Sequence, residues 1–298
     1  MTLIDTPPSA LDPDPYETAG PAPRPRERGG LIWWPVCIVI AVLMIFPLVM
    51  LLVVSLKSAG EFAKNPPTYF PTAPTLDNYQ RLDAAGIWHY VANSVGVALV
   101  TVVGTVALST LAGYGFARFR FPFAGGLFMV ILLTFMIPFQ AILTPLFYIL
   151  RQLHLQNSLT GLTLVYVTFQ LPLSVFLMRN AFAQVPIALE EAAMIDGCGP
   201  VRSLTRIMFP IVRPAMITVA LFAFFASWNE FLAALVLLSD QSKFTLPVLL
   251  TTLQSGRLGT VDWGLLEAGV VVTMLPCVLL FLALQRYYVR GLVAGAVK

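Results

Sequence analysis

Charge is what this chain has least of. Only 11% of its 298 residues are Asp, Glu, Lys or Arg, against about 25% in an ordinary soluble domain. With 58% hydrophobic residues and a mean hydropathy of +0.81, there is too little polar surface to cover a water-soluble globule. Histidine is scarce as well. His89 and His154 both fall near expected membrane boundaries and read as interfacial residues, not as ligands or bases. The three cysteines, Cys37, Cys198 and Cys277, form no C-x-x-C pair, which removes zinc and dithiol redox motifs and leaves small packing residues. There is no G-x-x-x-x-G-K-(S/T) loop, no H-E-x-x-H and no G-x-S-x-G. The chain therefore has no phosphate loop for a nucleotide and no constellation for metal or nucleophilic hydrolysis. It is expected to perform no covalent chemistry and to bind no cofactor.

What is plentiful is apolar sequence. A bilayer core of about 30 Å takes about 20 apolar residues per helix. Six stretches meet or approach this: 31–56, 91–117, 125–150, 159–180, 211–238 and 267–288. The fourth and sixth are interrupted by Pro172 and Pro276, which neighbouring helices make tolerable in lipid. The expected fold is all-α, a polytopic membrane protein of six transmembrane helices. Residues 1–30 differ, with seven prolines, five acids and three arginines. They read as a disordered tail, and 31–298 as one transmembrane domain. The apolar run after the tail is too long for a signal-peptide core and lacks a small-x-small cleavage site.

Loop cations set the orientation. With the N-terminus inside, Arg24, Arg26, Arg28, Arg118, Arg120, Arg179, Arg202, Arg206, Arg213, Arg286, Arg290 and Lys298 are cytosolic. Lys57, Lys64, Arg81, Arg151, Lys243 and Arg257 lie outside, twelve against six. Both termini are then expected in the cytosol. The net charge of +3 reflects this bias and implies no nucleic-acid partner.

The loop between the fourth and fifth stretches is unusually polar. Glu190, Glu191 and Asp196 fall in one short run. Pro186 suits a first helical turn, residues 188–194 are mostly strong helix formers, and Gly197 and Gly199 supply a stop. A helix of about ten residues is too short to persist alone in water, so docking must hold it. Ala192, Ala193 and Gly197 present a low surface that lets another protein approach. Gly197 requires a positive φ or a close backbone approach. A second short helix is expected from Pro200, with Arg202 and Arg206 on one face.

The run Glu191-Ala192-Ala193, three residues, Gly197, nine residues, Ile207-Met208-Phe209-Pro210 resembles the cytosolic loop of permease subunits in ATP-binding-cassette (ABC) importers. Phe209 is the one departure, since that family more often has Leu there. Further stretches carry the resemblance: Asn93-Ser94, Tyr114 to Pro122, Met136-Ile137-Pro138-Phe139-Gln140, Ser227-Trp228-Asn229-Glu230-Phe231, and Arg290 to Lys298. Together they resemble the second, six-span permease of maltose-type carbohydrate importers, over residues 31–298. The resemblance implies a type I importer fold and alternating access. It implies a second permease, an extracytoplasmic solute-binding protein, and two ATPase subunits that carry ATP and magnesium. It also implies a coupling helix that contacts an ATPase through Glu190, Glu191, Ala192, Ala193, Asp196, Gly197, Arg202 and Arg206. The C-terminal tail either reaches toward the ATPases or ends free.

Gln140, Asn229 and Glu230 are polar groups inside spans, where a charge is costly. They either line the solute path or pin helices together. Trp228 either stacks on a sugar or, the preferred reading, packs. Thr101, Thr105, Ser109 and Gly113 recur every four residues and read as a helix–helix seam. The loops 57–90 and 239–266 are candidates to touch the binding protein. Two further function classes remain for comparison: a proton-coupled secondary transporter using Glu230, and an ABC permease for a non-sugar solute such as a glycerol phosphate. A polytopic membrane enzyme is disfavoured by the missing catalytic motifs.

Overall fold

The computed structural model describes residues 30–64, 66, 68–255 and 261–293. The N-terminal tail 1–29, Arg257 and the end of the C-terminal tail from residue 294 lie outside the described residues. The chain divides into two compact units at Val49, the second running from Met50 onward. Among the described residues every regular element is helical. Helix α1 runs Gly30–Ser55, α2 Ala59–Phe62, α3 Asp77–Ala84, α4 Ile87–Arg118, α5 Ala124–Thr134, α6 Phe139–Gln152 and α7 Leu159–Ala183. Helix α8 runs Ile187–Ile195, α9 Pro200–Ser203, α10 Phe209–Asn229, α11 Leu232–Leu237, α12 Leu246–Gln254 and α13 Trp263–Val293.

Among the described residues, five helical stretches are long and apolar enough to cross a membrane: Trp33–Ser55, Ile87–Arg118, Leu159–Ala183, Val201–Asn229 and Trp263–Gln285. The third expected span is not one straight helix. It is α5 followed by α6, bent by 101°. Pro138 causes the break: it has no N–H to continue α5, it holds Ile137 out of helical geometry, and it serves as the N-cap of α6. Pro172 and Pro276, by contrast, lie inside α7 and α13 without ending them. The fifth span is also altered. A π turn at Leu204–Met208 joins α9 to α10, with the Phe209 N–H bonded to Leu204 O. It stands just before Pro210, which has no N–H to donate back into the turn. The same span stops at Glu230, where ψ is 128°, and restarts as α11.

The seam expected on the second span is present between α4 and α7. Thr101, Thr105 and Ser109 are fully buried. A methyl group at Gly113 would lie 2.6 Å from Met178 Cβ and 2.8 Å from the Arg179 nitrogen, so only glycine permits this approach. At one end of the bundle, Tyr114, Phe182, Val185, Leu204, Met208 and Val212 form a core joining α4, α7 and the start of α10. At the other end, Asn93 donates to the Ser242 and Phe244 carbonyls at 2.9 and 3.0 Å. Ser94 accepts the Leu246 N–H at 2.7 Å. The Asn93-Ser94 pair thus holds the 239–246 segment against α4.

The segment between α1 and α4 is ordered around buried Asn78. Its amide donates to the Ser55 and Lys57 carbonyls at 2.8 and 2.7 Å, and Gly264 of α13 packs against its Oδ1. Arg81 of α3 forms an ion pair with Asp262.

Candidate functional site

Two places carry the polar residues that the sequence singled out. The first is α8. Its end is a Schellman motif: the Gly197 N–H bonds to Met194 O at 3.0 Å and the Cys198 N–H to Ala193 O at 2.9 Å. Gly197 has φ +78° with open space around its Cα. The positive φ, not a close approach, is why glycine stands here.

Glu190 and Glu191 are neighbours with opposite fates. Glu191, Ala192, Asp196, Gly197, Arg202 and Arg206 are exposed. Ala193 is 4% exposed and seats the helix on the bundle. Glu190 is expected at an ATPase contact, yet in this chain it is buried and bonded internally. Its Oε1 accepts from Arg118 Nε at 3.2 Å. Arg118 Nη2 also donates to Val185 O at 2.7 Å. Arg118 is thus more than a topology anchor. It ties the last turn of α4 both to the end of the α7–α8 turn and to α8. The outward face is partly apolar, with Ile187, Met194, Ile195 and Val201 60%, 61%, 87% and 77% exposed. This is apolar surface left uncovered by the described residues.

The second place is a cavity of about 570 Å3. It lies where the two broken spans meet α7. Phe135, Ile137 and Phe139 come from the α5–α6 break, Tyr166, Thr168, Phe169 and Gln170 from α7, and Ser227 and Glu230 from the end of α10. Glu230 Oε2 accepts from Tyr166 Oη at 2.6 Å and from the Ala233 and Ala234 N–H groups at 3.1 and 3.3 Å. Its Oε1 accepts from the Ala233 N–H at 2.9 Å. The carboxylate satisfies the first free donors of α11 and so stabilises the break it creates. It both pins helices and lines the cavity.

The other three path candidates do not join it. Trp228 is 1% exposed, donates to Thr273 O at 3.0 Å and stacks on Phe224 with centroids 5.5 Å apart. This is the packing role, between α10 and α13. Asn229 turns back on its own helix, donating to Phe225 O at 2.8 Å. Gln140 is exposed and is not among the residues lining the cavity. Sequence reasoning missed Tyr166, Thr168 and Gln170. The signal was available, since three hydroxyl or amide groups within five residues are unusual in a span. Among the described residues no group of His, Cys, Asp and Glu is arranged to hold a metal.

Residues 105–293 match the family described as binding-protein-dependent transport system inner membrane component. The chain is 32% identical over 275 residues to the diacetylchitobiose uptake system permease protein DasC of Streptomyces coelicolor, covering 92% of this chain and 99% of that one. It is 35% identical over 255 residues to the sulfoquinovosyl glycerol transport system permease protein SmoH of Agrobacterium fabrum, covering 85% and 89%. A solved bacterial ABC transporter involved in the import of the acidic polysaccharide alginate shares the fold, with a TM-score of 0.75, 21% identity, and coverage of 87% of this chain and 96% of that chain. The chain therefore belongs to the binding-protein-dependent transport system inner membrane components: it is a multi-pass membrane permease of the ABC-importer type, a transport subunit and not an enzyme.

Proposed function

We propose that this permease imports a carbohydrate delivered by an extracytoplasmic binding protein, that α8 is its coupling helix, and that both termini face the cytosol. The carbohydrate class follows from relatives named for the uptake of diacetylchitobiose and of sulfoquinovosyl glycerol. The observation that carries the mechanical reading is α8 itself. It is a short helix fixed to the bundle by Glu190 and Ala193, with Glu191, Ala192, Ile195 and Asp196 left outward. A second permease would complete the path, and two ATPase subunits would hold ATP and magnesium. Nucleotide binding draws the ATPases together, α8 follows, and the paired spans rock to open the cavity outward. Hydrolysis restores the inward state. Domain limits of 1–30 for the tail and 31–298 for the membrane domain fit this scheme. The loops 57–90 and 239–266 would face the binding protein.

A secondary transporter with Glu230 as proton carrier is not favoured. That carboxylate is engaged in capping α11, and a chain working alone has no use for the outward face of α8. The test is reconstitution with the partner ATPases, the second permease and the binding protein. Ala192→Cys should cross-link to an ATPase subunit, and Ile195→Glu should abolish ATP-dependent uptake while the chain still inserts. Uptake by this chain alone, driven by a proton gradient, would overturn the proposal.

A further inference from the structure

The relatives leave open whether the solute is neutral or charged, and the cavity bears on this. Glu230 is the one ionisable carboxylate among its lining residues, and no Lys, Arg or His lines it among the described residues. Its Oε2 already accepts three hydrogen bonds, whereas Oε1 accepts one. A carboxylate has about four acceptor positions, two on each oxygen, so Oε1, with one bond, keeps capacity for a donor entering the cavity. Phe139 and Phe169 lie close by as an edge-to-face pair with centroids 4.4 Å apart, offering an apolar wall beside the acceptor. Hydroxyl-bearing rings satisfy both features at once. An anionic sugar brings the same ring and hydroxyls, but its charge meets the Glu230 carboxylate in a lining where no described cation offsets it.

We propose that this cavity is a solute subsite of the chain itself, taking uncharged hydroxyl-rich carbohydrate through Glu230 and turning away anionic solutes. This rests on the reading of the chain as a carbohydrate permease and adds the charge class. The selecting group is Glu230. Tyr166, at 2.6 Å, is a positioning residue that fixes the carboxylate toward α7.

The test reads charge in the cavity without needing the native solute. Thr168, exposed on the cavity wall, is changed to cysteine in a full chain whose Cys37, Cys198 and Cys277 are replaced by serine. It is labelled in the assembled importer with a cationic thiosulfonate (the ethyltrimethylammonium reagent) and an anionic one (the ethylsulfonate). Each rate is divided by the rate of the same reagent with free mercaptoethanol. The expected ratio favours the cation by roughly tenfold, the lower end of electrostatic focusing in a cleft, and falls to about one in Glu230→Gln. Tyr166→Phe keeps the charge and should keep the preference. Glucose should slow the labelling and glucuronate should not.

A ratio near one with Glu230 present, failure of both reagents to react, or protection by glucuronate equal to that by glucose would overturn the subsite. ATP-dependent uptake is measured on the same preparation. An importer that works but shows no charge preference loses only the subsite. One that never couples to ATP loses the underlying reading.

Discussion

Arg118, in the last turn of α4, places its Nε 3.2 Å from Glu190 Oε1 on α8, and both side chains are only 8% exposed. The two are 72 residues apart in sequence, so the pair fastens the short helix to a long one it does not follow in the chain. Removing one member of a buried pair leaves the other charged and unpartnered, which costs about 3–5 kcal/mol. Glu190→Leu should therefore lower the thermal stability of the solubilised chain markedly. Arg118→Leu with Glu190→Leu should recover part of the loss, because no orphan charge remains. Uptake should stay impaired in both, since the brace is gone either way. Equal stability of the Glu190→Leu single and the double variant would mean that the orphaned Arg118 carries no penalty.

Gly197 supplies the positive φ, +78°, that closes α8. A residue with a Cβ pays about 1–2 kcal/mol to hold the left-handed region, and Asn less. Gly197→Val should reduce ATP-dependent uptake several-fold while leaving membrane insertion unchanged, and Gly197→Asn should fall between this and the parent. Because open space surrounds the Cα, the defect should follow backbone preference and not side-chain size. Gly197→Ala and Gly197→Leu are then expected to behave alike. A graded loss with size would place the cause in a partner surface instead.

The α4–α7 seam makes a sharper contrast between two glycines only two residues apart. A methyl at Gly113 would press on Met178 Cβ and on backbone, whereas one at Gly115 would meet nothing within 4 Å. Overpacking of this kind typically costs about 1–3 kcal/mol. Gly113→Ala should destabilise the solubilised chain by that order, and Gly115→Ala should be neutral or slightly stabilising because alanine favours the helix. Comparing the two by thermal unfolding in detergent checks the seam directly.

Much of this was readable from the chain, and the exceptions have physical causes. Span number and the α8 lever follow from length, apolarity and stop signals, which are local. The seam follows from spacing alone. The 101° bend does not, because residues 125–150 carry two prolines, Pro138 and Pro145, and only the first breaks the helix. Pro138 opens a new helix where Pro145 and Pro172 are carried inside theirs. The ring removes the same donor at each position, so the difference lies in tertiary context. The break at Glu230 has the same character: an acid in a span announces a partner, but Tyr166 and the α11 N–H groups are found only in three dimensions. Glu190 and Glu191 are chemically identical neighbours. Only Arg118, distant in sequence, determines that the first turns inward.

The segment between α1 and α4 carries its own dependence on pH. The Glu61 carboxyl is held below the usual carboxylate range, first by the Thr72 hydroxyl and then by the Thr72 N–H, which donates at 2.7 Å. Asp262 moves the same way. Burial pushes it up, but the Leu265 N–H at 3.1 Å and the guanidinium of Arg81 more than offset this. A carboxyl whose folded pKa is depressed contributes stability that is present above its unfolded value, about 4. That contribution is lost as pH falls through the folded value. Between pH 5 and 8 the segment should be insensitive to these groups, and it should loosen in the acid range below about 4. The amide of Thr72, followed by hydrogen exchange corrected for its intrinsic rate, should lose protection there. Glu61→Gln should show reduced protection already at neutral pH and a flatter profile. An unchanged acid profile in Glu61→Gln would assign the loosening to Asp262 and Arg81 instead.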